Sequence, residues 1–249
     1  MTKNTKVNAA ILIIGNEILS GRTQDTNTST LATWLNSIGV KVGEVRVIPD
    51  IEKTIIDTLN LLRSNYNYVF TTGGIGPTHD DITAKSVSKT FGLNYEVHKE
   101  AFKILEKYYK KGEFNEGRQK MVWMPKDAKL ILNPTSGAPG FNIENVFCLP
   151  GVPSILKSML GGLKNEIIGG DPILSYTISL RTVESEIAES LTNTQNNNDD
   201  VEIGSYPFFQ AGKLGVSIVI RSVHQSKIDK TIKEVLNFVN KKKIELVER

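Results

Sequence analysis

A single cysteine stands in 249 residues, which excludes an internal disulfide framework and a cysteine-built zinc cluster. That residue, Cys148, lies in the apolar run Val146-Phe147-Cys148-Leu149 and reads as a buried thiol. Long apolar runs are missing too. No stretch approaches the ~18 residues of a membrane span, and Met1 to Asn8 is polar rather than signal-like. No membrane partner is therefore expected, and a reducing cytoplasm is. Neither sign of charge dominates, because 30 Lys and Arg face 27 Asp and Glu for a net +3. That balance gives no electrostatic footprint for nucleic acid, so none is expected as a partner. Lys241, Lys242 and Lys243 read as a solvated helix face, with no interleaved aromatics on which bases could stack. No internal repeat is present.

The apolar pattern is that of an α/β protein. Ala9 to Ile14 is a continuous apolar run ending at Gly15, as a buried parallel strand would be. Leu31, Trp34, Leu35 and Ile38 follow at helical spacing and Gly39 closes the helix. Val40 to Ile48 alternates as a strand, Ile51, Ile55, Leu59 and Leu62 mark a second helix, and Tyr68 to Thr72 is a third strand. This β-α-β-α-β order calls for right-handed crossovers in a mostly parallel sheet. Further on, helices are predicted over Lys99 to Lys111 and within Gly112 to Met121. Strands are predicted at Lys129 to Leu132 and Val146 to Leu149, and a helix over Ser154 to Ile167 behind Pro153. Gly169-Gly170-Asp171-Pro172 reads as a boundary, giving domains 1–169 and 170–249. Beyond it, strands at 173–180, 201–206 and 214–220 and helices at 183–191 and around Ile228 to Val239 make a small α+β domain. The Asn-rich stretch Thr192 to Asp200 reads as a mobile loop.

The chemistry concentrates in Thr71-Thr72-Gly73-Gly74-Ile75-Gly76-Pro77-Thr78-His79-Asp80-Asp81-Ile82-Thr83. A strand that runs into a Gly-rich turn and opens a helix is how α/β proteins hold phosphates. It is not a dinucleotide fingerprint, since the third glycine would fall on His79, and no Gly-Lys-Ser/Thr follows to make a Walker loop. Three glycines exceed what a tight turn needs, and bare backbone lets a phosphate approach its N–H groups. Two aspartates at the same turn repel phosphate unless a cation intervenes. One of Asp80 and Asp81 is expected to cap the helix, and the other could hold Mg²⁺ or a similar hard cation. His79 is either a polar loop residue or a ligand contact, whereas His98 and His224 read as structural or surface residues. Gly15-Asn16-Glu17 follows the first strand, where α/β folds place ligands, and Glu17 could serve a cation-held water or a sugar hydroxyl or start a helix. One of Asp25, Thr26 and Asn27 should cap the next helix. Asp50, beside Pro49, follows the second strand and could equally shape a turn. Ser136-Gly137-Ala138-Pro139-Gly140 and Pro150-Gly151-Val152-Pro153 are two more small-residue loops beside strands. Four such loops on one sheet edge indicate a broad, shallow nucleotide or cofactor cleft.

Taken in order, the Gly15-Asn16-Glu17-Ile18-Leu19, Gly73 to Thr83, Ser136 to Gly140 and Leu149 to Pro153 motifs resemble the molybdopterin-binding (MoaB/Mog-like) superfamily. Its CinA branch of competence/damage-inducible proteins is the most alike. The N-terminal domain of eukaryotic FAD synthase is similar as well, notably at Gly21-Arg22-Thr23-Gln24-Asp25-Thr26-Asn27-Thr28 and Gly204-Ser205-Tyr206-Pro207. The resemblance covers most of the first 168 residues; past Gly170 it is to the KH-like middle domain of CinA proteins. It implies a three-layer α/β/α sandwich followed by a small KH-like α+β domain. It also implies divalent-metal-dependent hydrolysis of dinucleotide pyrophosphates such as ADP-ribose or FAD. Gly73, Gly74 and Gly76 would line the phosphates, and Asp80 and Asp81 would serve the metal and the attacking water with support from Glu17 and Asp50. Gly137 and Gly140 would close the cleft, while Gly15, Asn16, Pro77, Thr78, Ser136, Pro139, Pro150 and Gly151 complete the substrate-binding set. Family members often carry Asp where this chain has Asn16, which removes one possible metal ligand. Ending at Arg249, the chain is expected to lack the deamidase domain of full-length CinA and any adenylyltransferase domain.

The expectation is thus a cytoplasmic pyrophosphatase using Mg²⁺, Mn²⁺ or Co²⁺, with K⁺ a further candidate. It would release AMP from a phosphorylated small molecule and assemble as a homo-oligomer. Molybdopterin binding or adenylyl transfer is the first alternative, and a non-enzymatic binding module the second. No residue here separates pterin from nicotinamide, flavin or ribose.

Overall fold

The computed structural model describes residues 7–210 and 212–247, and the chain divides after Gly170 into two units. In the first, β1 (Val7–Ile14) is buried from Ala9 onward. Successive side chains of a strand point to opposite faces, so Ala9, Ile11 and Ile13 enter one core and Ala10, Leu12 and Ile14 the other. That is why its apolar run has no polar alternation. The chain continues through α1 (Asn16–Leu19), α2 (Asn27–Ser37), β2 (Val40–Ile48), α3 (Glu52–Asn65), β3 (Tyr68–Thr72) and α4 (Thr83–Thr90). Next come β4 (Tyr95–Val97), α5 (Lys99–Tyr108), α6 (Glu116–Gln119), a 3₁₀ turn at Lys120–Val122 and β5 (Trp123–Pro125). β6 (Lys129–Ile131), β7 (Gly140–Ile143), β8 (Val146–Leu149) and α7 (Pro153–Leu163) complete the unit.

Six strands form one sheet in the order β2-β1-β3-β8-β7-β6. The first four are parallel; β7 runs antiparallel to β8, and β6 antiparallel to β7. Ile55, Leu59 and Leu62 of α3, Val87 of α4 and Leu105 of α5 pack on one face. Leu31 and Leu35 of α2 and Leu156, Met159 and Leu163 of α7 pack on the other. The result is the expected three-layer α/β/α sandwich. The chain leaves β1 for β2 on one side and later extends from β3 to β8 on the other. The β1/β3 gap is therefore the topological switch point, where open α/β sheets bind ligands.

Three strands carry no sequence signal of their own. β4 and β5 pair only with each other, and β7 starts inside the loop expected at 133–140. The helix expected over Gly112 to Met121 is shorter, because it tightens into the 3₁₀ turn. The helix behind Pro153 likewise stops at Leu163 rather than Ile167.

The second unit contains β9 (Leu174–Arg181), α8 (Glu184–Asn196), β10 (Glu202–Gln210), β11 (Lys213–Ser222), α9 (Gln225–Lys241) and β12 (Glu245–Val247). Its sheet, β10-β11-β9-β12, is antiparallel throughout. Ile178, Leu180, Ile218 and Ile220 on the sheet pack with Ile187 of α8 and Val235 of α9. The loop expected over Thr192 to Asp200 is corrected here. α8 runs to Asn196, and the amides behind its Asn-rich look are at work inside the fold. Gln195 donates to the Val201 carbonyl (2.7 Å) and accepts from the Ile203 N–H (2.9 Å). Buried Asn198 donates to the Thr194 carbonyl (2.7 Å) and to the Glu234 carboxylate of α9 (2.9 Å). Lys241, Lys242 and Lys243 are exposed as expected, and the Lys242 ammonium also donates to the Glu186 carbonyl at 2.7 Å.

Removing a buried amide that joins two helices costs about 1–3 kcal/mol. Asn198→Ala should therefore lower the protection of β9 and β11 amides in native-state hydrogen exchange by that amount. Asn193→Ala, at an exposed position of α8, should stay within about 0.5 kcal/mol. Equal effects would contradict the role given to Asn198.

Candidate phosphate-binding site

The carboxyl ends of β2, β1, β3 and β8 deliver Asp50, Gly15 to Glu17, Gly73 to Asp81, and Pro150 to Gly151 to one sheet edge. The tightest point is Gly73, which has φ +98°. Its N–H donates to the Leu149 carbonyl (3.2 Å), and a Cβ there would lie 2.1 Å from the Ile14 carbonyl oxygen. Only glycine fits both the conformation and the gap. Gly74 is also left-handed, at φ +68°, and a Cβ on it would meet the Thr83 hydroxyl at 2.2 Å. Thr83, buried at the start of α4, pins the loop: its hydroxyl donates to the Gly73 carbonyl (3.0 Å) and its N–H to the Gly74 carbonyl (2.9 Å). The turn beyond is closed by Asp81, whose carboxylate accepts from the Thr78 N–H at 2.7 Å and from the Thr78 hydroxyl.

The capping expectation for the aspartates is overturned. Ile82 occupies the N-cap position of α4, and no side chain caps it. Asp81 serves the Gly76–Asp81 turn instead, and Asp80 is exposed. The Thr78 hydroxyl beside it, its own backbone N–H and the nearby His79 and Lys120 hold the Asp80 carboxyl below its ordinary value. At α2 the N-cap position is Thr26, whose side chain makes no cap bond; Asp25, one residue earlier, instead accepts from the Asn27 N–H (2.9 Å) and the Thr28 N–H (3.3 Å) of the first turn. His98 is structural: its ring accepts from the Ala101 N–H at the start of α5 and meets the Ala128 carbonyl.

Acids crowd the edge. Asp50 is raised above its ordinary value, first by burial and then by the charges of Glu17 and Asp80. The Asn16 N–H, 2.9 Å from Asp50 Oδ2, offsets part of that rise. Asp50 therefore lies within the field of Glu17 and of Asp80, although the three come from three different loops. Among the described residues no three His, Cys, Asp or Glu side chains gather as a ready-made metal cage. Mg²⁺-type sites do not require one, since one or two carboxylates plus substrate phosphates suffice. The hard oxygen donors of Asp80, Asp81 and Glu17, set beside a glycine cradle, fit that donor set.

Two pockets flank the glycine loop. One is lined by Gly74, Gly76, Asp81, Lys120, Trp123 and Pro139, among others. The other is lined by Glu17, Asp25, Asn27, Thr72, Gly73 and Gly151, among others. Asn27 ties this second pocket together by donating to the Gly151 carbonyl at 2.8 Å. The remaining predicted residues take other places. Pro77 and Thr78 are exposed on the turn, and Pro150 is half-buried where β8 ends. Ser136 is held by Asn133 within its own loop (2.7 Å), and Gly137 lies against the Tyr108 ring. Gly140 is buried in the sheet, where a Cβ would come 2.4 Å from the Cys148 carbonyl oxygen. Lys120 was not foreseen. It belongs to a short 3₁₀ turn with no periodic signature, 42 residues from the carbonyl it touches.

The raised Asp50 gives a pH test with a definite sign. A carboxyl that holds its proton more tightly in the folded state makes stability fall as pH rises from 3.8 through the raised value. Asp50→Asn removes that fall and keeps an acceptor for the Asn16 N–H. The variant should melt at a higher temperature than the parent at pH ~7, with the difference closing toward pH ~3. A variant that is less stable at neutral pH would contradict the crowding.

Comparison with known proteins agrees with this geometry. Residues 10–169 match the family model described as "Probable molybdopterin binding domain", and residues 172–248 match "FAD synthase, middle domain". A protein of Archaeoglobus fulgidus is 30% identical over 94% of this chain and 98% of its own length. One of Pyrobaculum calidifontis is 34% identical over 80% of each chain. Among solved structures, CinA of Thermoplasma acidophilum, itself described as of unknown function, superposes with a TM-score of 0.61. It is 30% identical and covers 66% of this chain and 99% of its own. With its fold, its glycine loop and its matched residues in agreement, the chain belongs to the molybdopterin-binding domain family, as a CinA-like member carrying a second domain of the FAD synthase middle type.

Proposed function

We propose that the first unit is a metal-dependent pyrophosphatase that cleaves a nucleoside diphosphate compound, such as ADP-ribose or FAD, to AMP and a second phosphate. The observation that carries this reading is the left-handed, side-chain-free loop at Gly73 and Gly74 beside Asp50, a carboxyl raised by burial and by the nearby charges of Glu17 and Asp80. A divalent cation, when bound, supplies charge neutralisation at the phosphoryl group. The backbone N–H groups of Gly74 to Gly76 would receive the phosphate oxygens. Asp80 and Glu17 would hold a water in line with the bridging phosphoanhydride bond. The water oxygen bonds to phosphorus, the bridging P–O bond breaks, its proton passes to a carboxylate, and the leaving phosphate takes the electron pair. A homo-oligomer and a cytoplasmic location belong to the same reading; among the described residues no helix is long and apolar enough to cross a membrane. The FAD synthase-type second domain supports a flavin dinucleotide among the candidates.

The description of the matched family favours a second reading, in which the same cleft binds molybdopterin or its adenylylated form. Asn16 offers no carboxylate to a metal, which favours a third, non-enzymatic reading.

Purified protein incubated with ADP-ribose, FAD, NAD or CoA and Mg²⁺, Mn²⁺ or Co²⁺ should release AMP from at least one of them. A chelator should abolish the release. Asp80→Asn should lower kcat about 10²-fold or more without moving the melting temperature, because Asp80 is exposed and closes no turn. Asp81→Asn should cost both activity and stability, since it also loosens the Thr78 turn. No AMP from any substrate with any metal would refute the pyrophosphatase, and tight pterin binding without turnover would establish the second reading.

A further inference from the structure

The two pockets beside the glycine loop contain Asp81, Glu17 and Asp25 among their lining residues, and one cation, Lys120. A site for an anionic ligand built mainly from acids depends heavily on whatever positive charge the protein itself provides. Lys120 is placed firmly for that task. Asn115 caps α6 just before it by accepting from the Arg118 N–H (3.0 Å). The His98 N–H holds the far end of the 3₁₀ turn through the Val122 carbonyl (2.8 Å). From this platform the half-buried Lys120 side chain reaches across to the carbonyl of Thr78, on the turn that Asp81 closes. An ammonium has three donors, and that carbonyl accepts one of them. A latch on one carbonyl would not need a full positive charge at the pocket wall beside Gly74, Gly76 and Asp81.

We propose that Lys120 is a specificity-determining residue that contacts the ligand's phosphate oxygens, so that the site selects polyphosphorylated nucleosides over neutral ones. The inference rests on the phosphate-site reading above but not on turnover. A charge-assisted contact of this kind changes affinity about ten- to a hundredfold.

The test is calorimetric titration of the full chain with Mg²⁺ present, using adenosine and the methylene-bridged, non-hydrolysable analogues of inorganic pyrophosphate and ADP-ribose. Lys120→Met should bind both anionic analogues about ten- to a hundredfold more weakly, with a shallower dependence on salt. It should leave adenosine binding and the melting temperature unchanged. Lys120→Arg should restore most of the loss, because it keeps the charge while changing the shape. Equal affinity for the anions in Lys120→Met would overturn the inference and leave the phosphate site standing. So would a loss that also affects adenosine and that Lys120→Arg does not restore, which would make Lys120 a loop latch. If the parent protein binds neither anion, the phosphate-site reading falls and the role of Lys120 falls with it.

Discussion

The approach of Gly73 to the carbonyl of Ile14 is the constraint on which the candidate site depends. It brings the ends of β1 and β3 together where the strand order reverses, and it leaves no room for a side chain at the centre of the sheet edge. Thr83 then fixes the conformation from below, through hydrogen bonds to both Gly73 and Gly74. Because α4 starts at Thr83, the loop and the helix are one mechanical piece. The rest follows from position: Asp50 and Glu17 sit at the ends of neighbouring strands and Gly151 at the end of β8, so all of them face the same edge.

Charge gives that edge its chemistry. Burial raises the Asp50 carboxyl, and the charges of Glu17 and Asp80 add to the rise. Such crowding is unfavourable without a counter-charge. A divalent cation and a phosphate would each relieve part of the other's cost, which is how acids and a phosphate cradle can occupy one site. Lys120 is the protein's own positive contribution to the same balance.

Much of this was legible in the chain, for a definite reason. β1, β3 and β8 are buried on both faces, so they appear as uninterrupted apolar runs, and the loops after them can be located by counting. The Gly73 to Asp81 motif and Glu17 are located that way, and Asp50 by the alternating pattern of β2 before it. β4, β5 and β12 have three residues each and gain their order from pairing, which a local pattern does not record. The pattern suggests one of Asp80 and Asp81 as a cap because Asp next to a helix start usually is one; in the fold Thr83 does the anchoring. Thr192 to Asp200 reads as a loop because amides are common in loops, whereas here Gln195 and Asn198 satisfy buried backbone and the Glu234 carboxylate. Lys120 lay beyond reach because its neighbourhood is made by folding alone.

The candidate phosphate-binding centre is assembled around Gly73 from loops far apart in sequence. Amide chemical-shift mapping of the full chain during titration with ADP-ribose is the decisive measurement. The amides of Gly15, Glu17, Gly73 to Gly76, Thr78 to Asp81 and Gly151 should shift together along a single binding curve, with Lys120 among them. Shifts confined to residues beyond Gly170, or absent from Gly73 to Gly76 while others respond, would contradict it.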